Sequence, residues 1–136
     1  MPQTSQKRIM VVSAKPALRS LIVNAFVDSG YVVTVVENVP EVEMRVRLLT
    51  PDVLVLDQDV SDDGSVLRVM GISKKHQPPL PLVLLSNGQP LFHHDEKAEL
   101  FSFFGGGLRK PRPDRFVSRP LEMQVIIEVV SELLSR

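Results

Sequence analysis

The 136-residue chain contains no cysteine, which excludes thiol catalysis, disulfide staples and cysteine-bound zinc. A reducing compartment is compatible with that absence but not required by it. A surplus of charge is lacking too: sixteen Lys and Arg residues balance sixteen Asp and Glu. No whole-molecule field therefore draws the chain to nucleic acid or anionic lipid, and recognition has to come from local sites. No apolar run approaches the ~20 residues of a membrane span. Met1 to Arg8 is polar and has no apolar core of a secretory signal. A cytoplasmic protein with no membrane contact and no nucleic-acid binding of its own is the expectation. A chain of this length buries roughly two-thirds of its unfolded surface in one core. The expected division is a polar tail over residues 1–7 and a single domain over residues 8–136.

What the chain does have is organised around Pro51 to Gly64. Val53 to Leu56 is apolar at every position, the pattern of a strand covered on both faces, and it runs into a cluster of carboxylates at Asp57, Asp59, Asp62 and Asp63. In open α/β sheets the reactive crevice lies outside the carboxyl ends of the strands, so Asp57 is placed for chemistry. For the other three acids, solvation of a strand-to-helix loop is the expected role.

Around this stretch strands and helices alternate. Ile9 to Val12, Tyr31 to Val36, Val53 to Asp57 and Leu82 to Leu85 read as strands, and Leu108-Arg109-Lys110 as a brief fifth. A helix opening at Pro16 carries Leu18, Leu21, Ile22, Ala25 and Phe26 and stops at Gly30. A second, near Pro40, has the stripe Val39, Val42, Val46 and Leu49; a third, from about Ser65 to Ile72, uses Val66, Val69 and Met70. Glu96 to Phe104 is expected as a fourth helix, ended by Gly105-Gly106-Gly107, and Arg112 to Arg119 as a basic loop. Leu121 to Leu134 is the last helix, with Ser118 as cap and Pro120 in its first turn. Strands alternating with helices predict an α/β domain with a five-stranded parallel sheet and helices on both faces.

Three features, in order, resemble the receiver domain of two-component response regulators, over residues 8–135. Pro51-Asp-Val-Leu-Val-Leu-Asp57 looks like the family's third strand ending in its phosphoacceptor aspartate. Ser86 stands where the family keeps Thr or Ser after the fourth strand, and Lys110-Pro111 looks like its Lys-Pro, with a cis peptide bond, after the fifth. The resemblance implies a flavodoxin-like (βα)5 fold with strand order 2-1-3-4-5, phosphorelay signalling and no enzyme activity of its own. It also implies a histidine kinase or phosphotransfer protein as partner.

The chemistry of such a site can be stated independently. A carboxylate such as Asp57 can act as nucleophile toward a phosphoryl group, with Ser86 and Lys110 donating to the phosphoryl oxygens and Mg²⁺ offsetting the remaining charge. The family holds that ion with an acidic pair after strand 1, and here those positions are Ser13 and Ala14. Asp57 and Asp59 are what remain as candidate ligands for a weak Mg²⁺ site. Gly107 stands where the family has an aromatic residue that reports phosphorylation. The expectation is a receiver whose phosphorylation at Asp57 is impaired, with Lys110 pairing directly with Asp57. The alternative is a pseudo-receiver, a protein-interaction module that works without phosphorylation.

Asp57-Gln-Asp59 also resembles the Asp-x-Asp motif of haloacid dehalogenase-type phosphatases, a third, enzymatic reading. That motif belongs after the first strand of its own fold and needs a later acid pair, which this chain does not offer. His93-His94-Asp95-Glu96 reads as a solvated helix start and not as a metal site. The last helix carries more apolar residues than one buried stripe needs. Some of Ile127, Val130 and Leu134 are therefore expected to stay exposed and to be covered by a protein partner or a second copy over residues 120–135.

Overall fold

The structure, a computed structural model, describes residues 6–60, 63–87 and 113–135. Its strands are β1 (Arg8–Val12), β2 (Val32–Val36), β3 (Val53–Asp57), β4 (Leu82–Leu85) and β5 (Arg115–Val117). They form one five-stranded sheet in the order β2-β1-β3-β4-β5, every neighbouring pair parallel. The described helices are α1 (Pro16–Asp28), α2 (Val39–Leu48), α3 (Asp63–Lys75) and α4 (Met123–Leu134).

Alternation along the strands sorts the core into two layers. Met10, Val12, Leu54, Leu56, Leu82 and Leu84 face α2 and α3, meeting Val42, Val46, Val66 and Met70. Ile9, Val11, Val53, Val55, Val83 and Leu85 face α1 and α4, meeting Ile22, Phe26, Ile126 and Val130. β3 lies in the middle and is buried at all five positions, which is why its sequence is apolar on both parities.

Local chemistry sets the helix ends. Pro16 opens α1, where its missing N–H costs no helical bond. Gly30 follows α1 with φ of +92°, a left-handed conformation that side-chain-bearing residues resist. Asn38 caps α2 by accepting from the Glu41 N–H at 3.0 Å.

Three expectations are corrected. Leu108–Lys110 lies outside the described residues, and the fifth strand of the described sheet is Arg115–Val117, inside the stretch read as a basic loop. It is recognisable from its anchors: Asp114 Oδ2 accepts from the Leu82 N–H at 2.8 Å, and the Ser86 N–H donates to the Val117 carbonyl at 2.8 Å. The last helix begins at Met123, with Glu122 as the cap residue, not at Leu121 under a Ser118 cap. Leu49 leaves the α2 stripe, being 45% exposed just past the helix end. The helix expected over residues 96–104 and the histidine pair before it lie outside the described residues.

Candidate functional site

The carboxyl ends of β1, β3, β4 and β5 come together at one edge of the sheet, and each is followed by a polar residue. Asp57, the last residue of β3, is only 2% exposed. Its Oδ2 accepts from Ser13 Oγ at 3.0 Å, and its Oδ1 from the Asp59 N–H at 3.1 Å. Ser13 itself is fully buried just beyond β1. Its hydroxyl also accepts from the Lys15 N–H at 3.2 Å, which ties the β1–α1 turn to β3.

Two residues further on, Asp59 is surrounded by donors. Lys15 Nζ reaches its Oδ2 at 2.5 Å, and Arg119 Nη2 reaches the same oxygen at 3.1 Å. Asn87 Nδ2 donates to the other oxygen, Oδ1. The Lys15 hydrogen bond above all, then that of Asn87, and the charges of Lys15 and Arg119 hold the Asp59 carboxyl below its ordinary range against a smaller opposing effect of burial. Each donor arrives on a different element: Lys15 at the α1 entrance, Asn87 after β4, Arg119 after β5. Asn87 is itself fixed by its N–H, which donates to Gln58 Oε1 at 3.0 Å.

This donor set does not fit a divalent ion. Such an ion in a phosphoryl-transfer site needs one or two carboxylates with room for waters. The oxygens of Asp57 and Asp59, the two acids expected to hold it, already accept from Ser13, the Asp59 backbone, Lys15, Asn87 and Arg119. A metal seated on Asp59 would lie against two cationic side chains. Among the described residues, no three His, Cys, Asp or Glu side chains gather to hold a metal.

Of the residues singled out in the sequence, the structure places Asp57, Asp59 and Ser86 at neighbouring strand ends. The register pairs Asp57 with Leu85, so Ser86 follows directly beside it. Lys110, Pro111 and Gly107 lie outside the described residues. After the observed fifth strand the basic residue before a proline is Arg119, and the Arg119–Pro120 bond is cis. Phe116, three residues before Arg119 in that strand, is 60% exposed. Sequence reasoning missed Lys15 and Asn87, and read Arg119 only as part of a basic loop. The available signals were position alone: Lys15 follows the two positions where the acid pair is missing, and Arg119-Pro120 follows Phe116-Val117 in strand-like sequence.

No protein-family model matches the chain, and no curated protein does. Solved structures do. The chain is similar to the signal receiver domain of a LuxO-type repressor from Vibrio parahaemolyticus, with a TM-score of 0.73 and 17% identity over 97% of this chain and 92% of that one. It is also similar to the chemotaxis response regulator CheY4 of Vibrio cholerae, with a TM-score of 0.70 and 13% identity over 95% of this chain and 99% of that one. NtrX from Brucella abortus matches 96% of this chain with a TM-score of 0.70 and 18% identity. The chain spans only 26% of that longer protein. These likenesses establish the fold: a five-stranded, CheY-like receiver fold of the flavodoxin type.

Proposed function

We propose that the chain is a receiver domain of two-component signalling in which Asp57 holds the phosphoacceptor's place, phosphoryl transfer to it is impaired, and output rests on protein contact in one conformation. The carrying observation is that both acids of the crevice are satisfied by the chain's own donors: Asp57 by Ser13 and the Asp59 backbone, Asp59 by Lys15, Asn87 and Arg119. A carboxylate so held is a weaker nucleophile, because the hydrogen bonds it accepts stabilise its charge and draw electron density from its oxygens. The usual answer to the dianionic product, a divalent ion, finds cations in its place. Asp57 and Ser86 keep the family's arrangement, and a histidine kinase or phosphotransfer protein remains the expected partner class. The phosphorylation-independent reading, a pseudo-receiver, is favoured by the same Lys15–Asp59–Arg119 cluster, which neutralises the crevice without any modification.

Contact through the last helix has less support than its sequence suggested. Val130 is fully buried, while Ile127 and Leu134 are half-buried against the α1 side of the core. They are still the residues of α4 through which a partner or second copy would act. Among the described residues no helix is long and apolar enough to cross a membrane.

Incubation with acetyl phosphate and Mg²⁺, followed by intact-protein and peptide mass spectrometry, tests the proposal. The expected result is an unmodified Asp57 in the parent and a phosphorylated Asp57 in the variant Ser13→Asp with Ala14→Asp and Lys15→Ala. Prompt stoichiometric phosphorylation of the parent at Asp57 overturns it.

A further inference from the structure

α2 and α3 lean together over the first layer of the core and leave between their carboxyl-terminal halves an open groove of about 550 Å³. Helix ends on this side lead into strand beginnings, so the groove lies at the end of the sheet away from the Asp57 crevice. Among the described residues it is lined by the apolar Val46 and Ile72, the cations Arg47, Arg68 and Lys75, the acid Glu43, and Gly71 and His76. In a chain of zero net charge, that is a local concentration of positive charge. Directly beside it on α2, Met44 is 50% and Leu48 is 74% exposed. These two sit one helical turn apart, so they form an apolar stripe on the face turned from the core.

We propose that this groove and stripe dock an acidic amphipathic segment of a partner protein, a contact independent of the state of Asp57. Carboxylates of the segment would meet the guanidinium forks of Arg47 and Arg68 and the Lys75 ammonium, and its aliphatic residues would cover Ile72, Met44 and Leu48. Arg47 is easily recruited. Its partner within the helix, Glu43, stands 3.8 Å away with side chains 77% and 61% exposed, a loose pair that a partner carboxylate replaces at small cost. A nucleic acid would use the three cations and leave the stripe of Met44 and Leu48 in water, so an acidic polypeptide accounts for more of the surface.

The test is selection of a random peptide library against the whole chain, with peptides of about 16 residues, long enough for four helical turns. The variant Arg47→Glu/Lys75→Glu serves for counter-selection, and circular dichroism verifies that it is folded. Enriched peptides are expected to be acidic with aliphatic residues at helical spacing. A synthetic copy should shift the amide resonances of residues 43–48 and 68–76. Its Kd should weaken about tenfold or more with Arg47→Gln/Lys75→Gln and with Leu48→Ser, and stay unchanged with Asp57→Asn. The proposal is overturned if enrichment is basic or uncharged, if the variants bind as well as the parent, or if the shifts map elsewhere. Tighter binding of single-stranded DNA at the same residues, or self-association abolished by Leu48→Ser, would overturn it in favour of those occupants.

Discussion

Replacing Lys15 with alanine isolates what the crevice cluster contributes. Lys15 Nζ lies 2.5 Å from Asp59, with side chains 40% and 29% exposed. The pair is thus neither fully solvated, where such contacts give about 0.2–1 kcal/mol, nor buried enough for a charged hydrogen bond to give its full ~1.5–3 kcal/mol. Asp59 also keeps Asn87 and Arg119 after the substitution. The expected loss is about 1 kcal/mol, or about 3–4 °C in Tm for a domain of this size. Lys15 makes no side-chain cap bond to α1, so little of the effect comes from the helix end, and Lys15→Gln serves as a control.

The pH dependence is the sharper measurement. The Asp59 pKa is lowered in the folded protein, while the unfolded chain has the ordinary value of about 3.9. A depressed carboxylate contributes stability that is present above the unfolded pKa and lost as pH falls through the folded one. Urea unfolding of parent and Lys15→Ala should therefore differ by a constant amount between about pH 7 and about pH 5, with the gap closing below about pH 4. High salt should narrow it as well. A gap unchanged at the lowest pH, or no gap at neutral pH, would refute the electrostatic account of the cluster.

Ser13→Ala removes the hydroxyl that donates to a carboxylate only 2% exposed; a loss of about 2 kcal/mol is expected in chemical unfolding, and a cost below about 0.5 kcal/mol would mean water replaces it. Gly30→Ala should destabilise by about 1 kcal/mol or more through backbone strain alone, since φ is +92° and nothing lies within 4 Å of an added Cβ; an unchanged Tm would show that the turn relaxes. Asp114→Ala removes an acceptor for the Leu82 N–H and for Lys74 Nζ at 3.1 Å. Hydrogen exchange should then accelerate at Ser86, whose N–H depends on Val117 staying in place; unchanged protection there would show that the ladder alone holds β5.

How much of this was legible depended on burial. β1, β3 and β4 are covered on both faces, so Ile9 to Val12, Val53 to Leu56 and Leu82 to Leu85 could hardly be anything but central parallel strands. β5 is an edge strand, as β2 is at the other side; it pairs only with β4 and buries only Val117 of its three residues. Such a strand leaves almost no apolar pattern to read. Residues 110–120 also contain three basic-proline pairs, at Lys110, Arg112 and Arg119, and only the ladder shows which of them follows the strand. Asp57 was readable because a strand pattern ends on it. Lys15 and Arg119 were not, because ion pairs between residues 44 and 60 positions apart leave no periodicity in the chain. Val130 was misjudged for another reason: α4 is apolar over most of its circumference, so its sequence does not say which residues α1 and the sheet will cover.

The cations of the crevice are covalently part of the chain, and this changes what can control it. Stabilisation by a dissociable ion follows mass action, growing with the logarithm of its free concentration over its Kd, so chelators and cellular ion levels would set it. A tethered ammonium or guanidinium has instead a fixed effective concentration at its partner, and Lys15 and Arg119 accompany Asp59 in every copy of the molecule. The occupancy of this site is thus written into the gene rather than drawn from the solvent. Protons and ionic strength can loosen it, but depletion of divalent metal cannot.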